Sequence, residues 1–399
     1  MAVTTLRTQD DRRLTVEHLA RPRTAGAGLD VFAVEDRSAQ VVWSALPAGT
    51  VEVVAEGDRG SRSFSTVTHP GGPGAAELSG LAPDSRHRVR VLVDGTDVVR
   101  PRAFRTQPTP TGEELFRFAT LNDLHLGREE KRDADRPGGT GALTPFDMAA
   151  DALTDALSWG AEAVVVKGDV CDESFDRFWD QAAELFGDVA VPVRMLPGNH
   201  DTGSKRMVEP EVAAATRGLH MCRAVEHLDV AGLRIVMVES GVPGTGWGDL
   251  DRHADQVADL AADARHRRAA TFVATHHQAQ RFRVPLYWPH GTPAPNARSF
   301  ARTLHAATPN ALISSGHTHR CRLRRVSGVP WSEVSATNHF PGTWAGYRVF
   351  EGGLMQVVRR TATPRALTWS EHTRRALGGI WALWATGTIS DRSFTLDWC

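Results

Sequence analysis

The sequence predicts an α/β protein in which a small all-β sandwich precedes a larger domain of layered sheets and helices. Residues 30–106 show short alternating runs, such as "VEVVAE" and "HRVRVLVDG", between glycine and proline clusters. That spacing is typical of an antiparallel sandwich. From residue 116 onward, strand-like and helix-like periods alternate, which indicates sheets covered by helices.

With 399 residues, the chain is long enough for two or three units. We assign residues 1–108 to the sandwich, 115–350 to the layered domain and 351–399 to a C-terminal extension that completes or caps it. "QPTPTGEE" at 107–114 reads as a linker. "ELSGLAPDSRHRVRVLV", with Trp43 upstream, resembles a fibronectin type III or immunoglobulin-like domain, with His87 where such domains usually place a corner tyrosine.

The layered domain is predicted to alternate strands and helices. The predicted strands are 116–123, 161–169, 191–201, 271–277 and 311–319, and the predicted helices are 146–160, 174–187, 249–266 and 297–307. In such a domain, catalytic and binding groups collect beyond the carboxyl ends of the strands.

Composition limits the function classes. The net charge of -1 gives no bulk attraction to nucleic acid or to an anionic membrane. No apolar stretch approaches the roughly 18 residues of a membrane helix, and "RR" at 12–13 is followed by no apolar export segment. We therefore predict a cytoplasmic protein that does not bind membranes, and nucleic acid is disfavoured as a partner.

Each predicted strand ends in side chains that can bind a metal. The residues concerned are Asp123, His125, Asp169, Asn199, His200, Asp201, His276, His277, His317 and His319. Each short pattern alone is weak, because a histidine after a strand is more often structural. Five such patterns in succession are improbable by chance, since unpaired polar groups buried together cost roughly 1 to 3 kcal/mol each.

The five blocks "DLH" (123–125), "GD" (168–169), "GNHD" (198–201), "THH" (275–277) and "GHTH" (316–319) resemble those of the calcineurin-like metallophosphoesterase superfamily. The resemblance covers about residues 115–350. It implies a four-layer metallophosphoesterase β-sandwich flanked by helices, with two metal ions bound at one end.

The resemblance also implies a ligand set. One metal takes Asp123, His125 and His319, the other takes Asn199, His276 and His317, and Asp169 bridges them; His277 is the alternative to His276. Imidazole with carboxylate and amide oxygen suits Mn, Fe, Zn or Co. A metal-bound hydroxide would attack phosphorus in line. His200 would stabilise the transferred phosphoryl group or protonate the leaving oxygen, and Asp201 would orient His200 and hold it protonated.

The predicted activity is hydrolysis of a small-molecule phosphate ester. A diester is favoured because "WGDLDRHADQVADLAADA" (247–264) resembles a segment of the cyclic-nucleotide and glycerophosphodiester phosphodiesterase branch, although a surface helix explains its pattern nearly as well. The alternatives are a phosphomonoesterase, a DNA nuclease of the same superfamily, which needs a basic track with stacking aromatics, and a non-catalytic scaffold.

Two further features bear on substrate and assembly. Tyr287 and Tyr347, the tyrosines of the chain, are far in sequence from the "GD" block, so a tyrosinate-iron centre is disfavoured. The tryptophans near the C-terminus predict packing, or alternatively a substrate pocket or a homodimer interface. We expect substrate choice to depend on the loops at 126–145, 202–224 and 278–296.

Overall fold

The structure is a computed structural model that describes residues 5–7, 28–58, 60, 62–128, 143–203, 208–282, 289–375, 379–380 and 382–398. Most of the predicted loop at 126–145, parts of the other two substrate loops and Tyr287 lie outside these residues. Within the described ranges, none of the helices has both the length and the apolar character needed to cross a membrane.

The described N-terminal residues form a run of short strands. Their bounds are β1 (Thr5–Arg7), β2 (Asp30–Val34), β3 (Ser38–Leu46), β4 (Gly49–Gly57), β5 (Arg62–His69), β6 (Gly72–Ser79), β7 (Arg86–Val93), β8 (Thr96–Asp97) and β9 (Arg102–Arg105). β2, β3 and β6 form one sheet, and β5, β4, β7, β8 and β9 form another. Buried residues of both sheets pack around Trp43, so this region is the all-β sandwich that the alternating runs predict.

The remaining strands build two large sheets. Their bounds are β10 (Glu114–Leu121), β11 (Val164–Lys167), β12 (Val193–Leu196), β13 (Val225–Val230), β14 (Leu233–Val238), β15 (Ala270–Thr275), β16 (Ala311–Ser315), β17 (Arg322–Val326), β18 (Val329–Glu333), β19 (Thr343–Phe350), β20 (Gly353–Arg360) and β21 (Ser393–Asp397). One sheet has the order β1, β21, β20, β19, β10, β11, β12, and the other has the order β13, β14, β15, β16, β18, β17.

Parallel strands occupy the centre of each large sheet. β10, β11 and β12 are parallel neighbours in the first sheet, and β14, β15, β16 and β18 are parallel neighbours in the second. Every residue of β11, β15 and β16 is buried, because layers cover both faces of these strands. The carboxyl ends of these parallel strands carry the predicted site residues.

Helices cover the outer faces of the two large sheets, and two short C-terminal helices contact the sandwich. Their bounds are α1 (Pro145–Ser158), α2 (Asp176–Phe186), α3 (Pro210–Ala215), α4 (Ala254–His266), α5 (Ala294–Ala307), α6 (Pro364–Thr373), α7 (Ala382–Ala385) and α8 (Ile389–Arg392), with a 3₁₀ turn at Asp251–His253 before α4. α1 begins where the Thr144 hydroxyl accepts a hydrogen bond from the Asp147 amide and the Asp147 carboxylate accepts one from the Thr144 amide, which is a capping box.

Three hydrophobic cores separate four layers. α1 and α2 pack on the seven-stranded sheet, the two sheets pack on each other around Phe118 and Phe272, and α4 and α5 pack on the six-stranded sheet. The predicted fold class, a four-layer metallophosphoesterase β-sandwich preceded by a small all-β sandwich, is confirmed.

The first strand departs from the predicted domain division. β1 pairs antiparallel with β21, with Leu6 opposite Leu396. Assignment of this segment to the sandwich is therefore wrong, because its backbone completes the edge of the seven-stranded sheet. The domain boundaries near residues 108 and 350 otherwise stay predictions.

Candidate metal centre

The predicted site residues follow five parallel strands at the same edge of the two sheets. Asp123 and His125 follow β10, Asp169 follows β11, and residues 199–201 follow β12. His276 follows β15, while His317 and His319 follow β16. Backbone hydrogen bonds tie these turns together, since the Asp123 amide donates to the Gly168 carbonyl over 3.0 Å and the Gly316 amide donates to the His276 carbonyl over 3.1 Å.

The backbone of these turns is strained at the predicted ligands. Left-handed φ angles occur at five of them, namely Asp123 (55°), His125 (51°), Asp169 (51°), His317 (67°) and His319 (51°). Residues other than glycine rarely adopt this conformation, and it costs about 1 to 3 kcal/mol each where it persists. Strain of this kind concentrates at functional sites. Here the left-handed backbone directs the side chains of these five ligands into one cluster.

The first group of donors contains Asp123, His125, Asp169 and His319. One ligand atom of each lies within 4.8 Å of the others. His319 Nε2 is 3.2 Å from an Asp123 oxygen, and His125 Nε2 is 3.6 Å from Asp169 Oδ2. His125 Nε2 is buried without a hydrogen-bond partner among the described residues, so a donor atom of this group is left for a cation.

The second group lies on the other side of Asp169. His276 Nε2 is 3.4 Å from Asp169 Oδ1, 3.1 Å from Asn199 Oδ1 and 3.1 Å from His317 Nδ1. Asp169 therefore presents one carboxylate oxygen to each group. The structure brings together all seven predicted ligands.

The second ring nitrogen of each histidine is held by a different partner. His125 Nδ1 is 3.0 Å from an Asp172 oxygen, His276 Nδ1 is 2.9 Å from the Lys167 carbonyl, His317 Nε2 is 2.6 Å from the His290 carbonyl, and His319 Nδ1 is 3.2 Å from His339 Nε2. Partners of this kind fix the tautomer and the ring orientation of histidines that bind metals. The donor set thus fits a pair of transition-metal ions.

The pKa values of the metal-free chain reflect crowded charges. Burial opposes ionisation of His276, but the Asp169 carboxylate outweighs it and raises the pKa of His276 to about 9. Burial and the charge of His276 together lower the pKa of His317 to about 3. Burial also opposes ionisation of Asp123 and Asp169, yet the neighbouring histidines hold both carboxyl pKa values below the usual range. Two buried carboxylates thus attract positive charge to this cluster.

His277 lies beside the second group. Its Nδ1 is 2.9 Å from the Ser240 hydroxyl, and its ring centroid is 4.6 Å from that of His317. Its Nε2 is buried without a hydrogen-bond partner among the described residues. His276, in contrast, directly contacts both Asn199 and Asp169, which favours His276 as the ligand.

His200 differs from the buried histidines because its side chain is 34% exposed. Its ring lies edge-on to that of His125, with centroids 4.5 Å apart. Nδ1 donates to the Asp172 carbonyl over 2.8 Å, so this proton is fixed and Nε2 is the atom left for proton exchange with a substrate.

The predicted role of Asp201 is wrong. Its carboxylate does not orient His200 but accepts hydrogen bonds from three backbone amides, those of Gly198 (2.8 Å), Cys171 (2.9 Å) and Val170 (3.1 Å). The side chain is turned into the loop, where it ties the "GNHD" turn to the "GD" turn. Burial raises the pKa of Asp201 to about 7.

The motif blocks do not reveal several residues of this site. Asp172, which holds His125, stands three positions after Asp169 and could have been found as a further carboxylate in "GDVCD". His339 and Asn122, whose amide donates to Asp123 over 2.6 Å, carry no such signal. Tyr347 is buried between the sheets, stacked on Phe118, so it is no part of the cluster.

Residues 116–321 match the family of calcineurin-like phosphoesterases. No curated protein matches the chain. Among solved structures, the purple acid phosphatase PPD1 from yellow lupin (Lupinus luteus) seeds is 14% identical, with 83% of this chain and 72% of that chain covered and a TM-score of 0.47. PhoD is 10% identical, with 84% and 87% covered and a TM-score of 0.38. The fn3 domain of human collagen alpha-1(XX) chain is 18% identical, with 23% and 93% covered and a TM-score of 0.18.

The matched segment makes up slightly more than half of the 399 residues. It contains all five motif blocks and every predicted ligand, from Asp123 to His319. The chain therefore belongs to the calcineurin-like phosphoesterase family.

Proposed function

We propose that this chain hydrolyses phosphate diesters with two divalent metal ions bound at the strand ends. The observation that carries the proposal is the position of Asp169, whose two oxygens face different donor groups, at 3.6 Å from His125 Nε2 and 3.4 Å from His276 Nε2. A shared carboxylate between two sets of donors is what a pair of cations about 3.5 to 4 Å apart requires.

The residues divide into two ligand sets. Asp123, His125 and His319 would hold one ion, Asn199, His276 and His317 would hold the other, and Asp169 would contact both. Imidazole nitrogens with carboxylate and amide oxygens suit Mn, Fe, Zn or Co. When bound, the two ions would polarise the phosphoryl oxygens and lower the pKa of a water molecule toward about 7.

His200 would supply the proton for the departing alcohol. Its Nδ1 proton is committed to the Asp172 carbonyl, so a protonated imidazole carries its transferable proton on Nε2. The partial exposure of the ring gives a substrate access to that atom. Proton donation of this kind contributes about 10² to 10⁴ in rate.

The surroundings of the second ligand group favour a diester over a monoester. Trp247 stacks on His290 with ring centroids 4.6 Å apart and planes at 9°, and the His290 carbonyl holds His317. An aromatic surface this close to the ligands suits a substrate with a second, bulky ester group. Part of the segment 247–264 instead serves packing, because Val257, Ala261 and Ala264 of α4 are buried.

The test compares bis-p-nitrophenyl phosphate with p-nitrophenyl phosphate on metal-stripped protein supplied with Mn, Zn, Fe(II), Co or no metal. We expect turnover only with metal, and faster turnover of the diester. Asp169→Asn should lower the metal content of both positions, since it removes the charge shared between them.

Three results would count against the proposal. Turnover that persists in chelator would rule out the metal ions, and preference for the monoester would replace the diesterase with a phosphomonoesterase. Metal bound by the wild-type chain with no turnover of either ester would favour a non-catalytic scaffold.

A further inference from the structure

A large groove begins one residue beyond the ligand His319, because Arg320 is part of its lining. Its volume is about 1620 Å³, above the roughly 300 to 1,000 Å³ of small-molecule sites. Its walls come from β17, from the segments around residues 280 and 298, and from described residues of 371–375, 379 and 382–391 near the C-terminus. Two of these segments continue from the motif blocks, since Arg320 follows His319 and Gln280 stands four positions after His276.

The groove is strongly cationic. Eight arginines line it, four of them between residues 320 and 325, against two carboxylates, Glu371 and Asp391. Both carboxylates are already engaged: Glu371 accepts from Arg360 over 3.0 Å, and Asp391 accepts from the Leu323 amide over 2.8 Å. The surplus charge is therefore positive.

The arginines of the groove differ in whether a carboxylate lies near them. Arg320 and Arg324 each lie 3.3 Å from the buried Glu333. For Arg298, Arg322 and Arg375, the part of the chain that the structure describes supplies no carboxylate within 4 Å, and the first two stand on different elements, α5 and β17. A guanidinium fork binds phosphate through two parallel hydrogen bonds.

Two uncharged side chains also point to a ligand. Trp384 lines the groove with 51% of its surface exposed, although a large aromatic side chain is normally buried. Gln280 lines it too and is 7% exposed, yet neither its amide nitrogen nor its amide oxygen has a hydrogen-bond partner among the described residues. A buried amide without partners is costly, so a bound polar group would satisfy it.

From the charge, the exposed aromatic and the unpaired amide, we propose that this groove binds single-stranded nucleic acid and presents one of its phosphodiester bonds to the metal centre. The arginines would contact the backbone phosphates, and a base would stack on Trp384, which is the arrangement that single-strand binding requires. The concave shape favours a chain of phosphates over a bilayer surface, which could not enter a groove. Presentation of a phosphodiester bond to the metal centre rests on the proposed diesterase activity, whereas binding of the nucleic acid does not.

The test measures fluorescence anisotropy of a labelled oligothymidine of about 12 nucleotides, with phosphorothioate linkages that resist hydrolysis, on the full chain with Mn present and absent. We expect binding that weakens with salt. Arg298→Ala with Arg322→Ala should lower the slope of log affinity against log salt by about 2, roughly 1 for each phosphate contact. Trp384→Ala should weaken binding by roughly fivefold or more, and Trp384→Phe should restore most of it.

Matched controls separate the groove from general charge. Arg88, exposed on β7 of the sandwich, is as cationic as the groove residues but is not among the residues that line the groove, so Arg88→Ala should bind like the wild type. Arg298→Lys with Arg322→Lys should keep the salt slope, because the charges remain. Circular dichroism of each variant checks folding.

Equal binding by the double alanine variant and by Arg88→Ala would overturn the proposal. So would binding to phosphatidylglycerol vesicles that depends on the same arginines while the oligonucleotide is not bound. Because the linkages resist cleavage, the binding measurement does not depend on turnover. Binding that requires the groove arginines, without hydrolysis of any diester, would support nucleic-acid binding by the groove and contradict the proposed activity. Diester hydrolysis without oligonucleotide binding would overturn only the proposal for the groove.

Discussion

At the residue scale, His200 is the predicted site residue whose role can be separated from metal binding. Its Nδ1 is held by the Asp172 carbonyl and its ring is partly exposed. We expect His200→Ala to lower diester turnover by about 10² to 10⁴ while two metal ions per chain stay bound. Turnover and metal content by mass spectrometry check this. His227→Ala, at an exposed histidine of β13, is the control and should change neither quantity, whereas metal loss in His200→Ala would make His200 a ligand.

Asp201 serves the backbone rather than His200. Its two oxygens accept from the amides of Gly198, Cys171 and Val170. In Asp201→Asn an amide NH₂ would face at least one of these donors, so we expect the free energy of unfolding to fall by about 1 to 3 kcal/mol. Urea denaturation measures the change, and Asp188→Asn, at an exposed site, should leave the midpoint unaltered. A stable Asp201→Asn with lost turnover would instead restore the predicted catalytic role.

The predicted site positions could be read from the sequence because each belongs to a short block after a strand. The direction of a side chain could not be read from the sequence. The block "GNHD" alone does not show that the Asp201 side chain turns into the loop, or that His200 donates to the Asp172 carbonyl instead. Asp172 is near its block, but His339 comes from a segment with no motif and reaches His319 only through the fold. Contacts between distant segments are therefore the part that the sequence pattern misses.

At the scale of the elements, the turns after β11 and β12 pack with little space. A Cβ on Gly198 would lie 2.1 Å from Asp169 Oδ1 and 2.4 Å from the Asp169 amide nitrogen. We expect Gly198→Ala to lower stability by about 1 to 3 kcal/mol and to reduce metal binding, because Asp169 must move. Thermal unfolding and metal titration test both effects.

Gly246→Ala is the matched control, since a Cβ there would meet no atom within 4 Å. It should keep the melting temperature and the metal content of the wild type. Normal metal binding by Gly198→Ala would show that the "GNHD" glycine is not needed to place Asp169.

The parallel strands that carry the site were predictable, since each is a short apolar run that ends in a glycine-led turn. The predicted strands do not include the hairpin of β13 and β14, because polar residues interrupt β13 and no motif follows it. The arginine groove was also missed, because β17 supplies only some of its arginines and the others come from segments far away in the chain. A basic track built by the fold leaves no continuous trace in the sequence.

At the scale of the whole molecule, the sandwich is bound to the seven-stranded sheet through charged side chains. Arg348 of β19 contacts Glu35 and Asp36, and Arg359 of β20 contacts Glu35 and Glu77. Burial opposes the charge of Arg348, but Glu114 and Asp36 outweigh it and raise the pKa of its guanidinium. The carboxylates of the sandwich thus pair with arginines of the strands that follow the metal site in sequence.

Arg392 provides the most buried of these links, with its side chain 1% exposed. Its guanidinium donates to two carbonyls of β2, Phe32 (2.7 Å) and Val31 (3.2 Å), and to two at residues 386 and 387 (2.8 and 3.1 Å). We expect Arg392→Ala to lower the free energy of unfolding by roughly 3 kcal/mol or more, because four carbonyls lose a donor worth about 1 kcal/mol each.

Urea unfolding followed by tryptophan fluorescence measures this change. Arg392→Lys should recover only part of the loss, since an ammonium has three donors and lacks the planar fork that reaches both segments. Arg88→Ala removes an exposed arginine of the same sandwich and should leave the midpoint where it is. If Arg392→Ala unfolds at the wild-type midpoint, the sandwich is held by its other contacts, and the Arg348 and Arg359 pairs become the residues to change next.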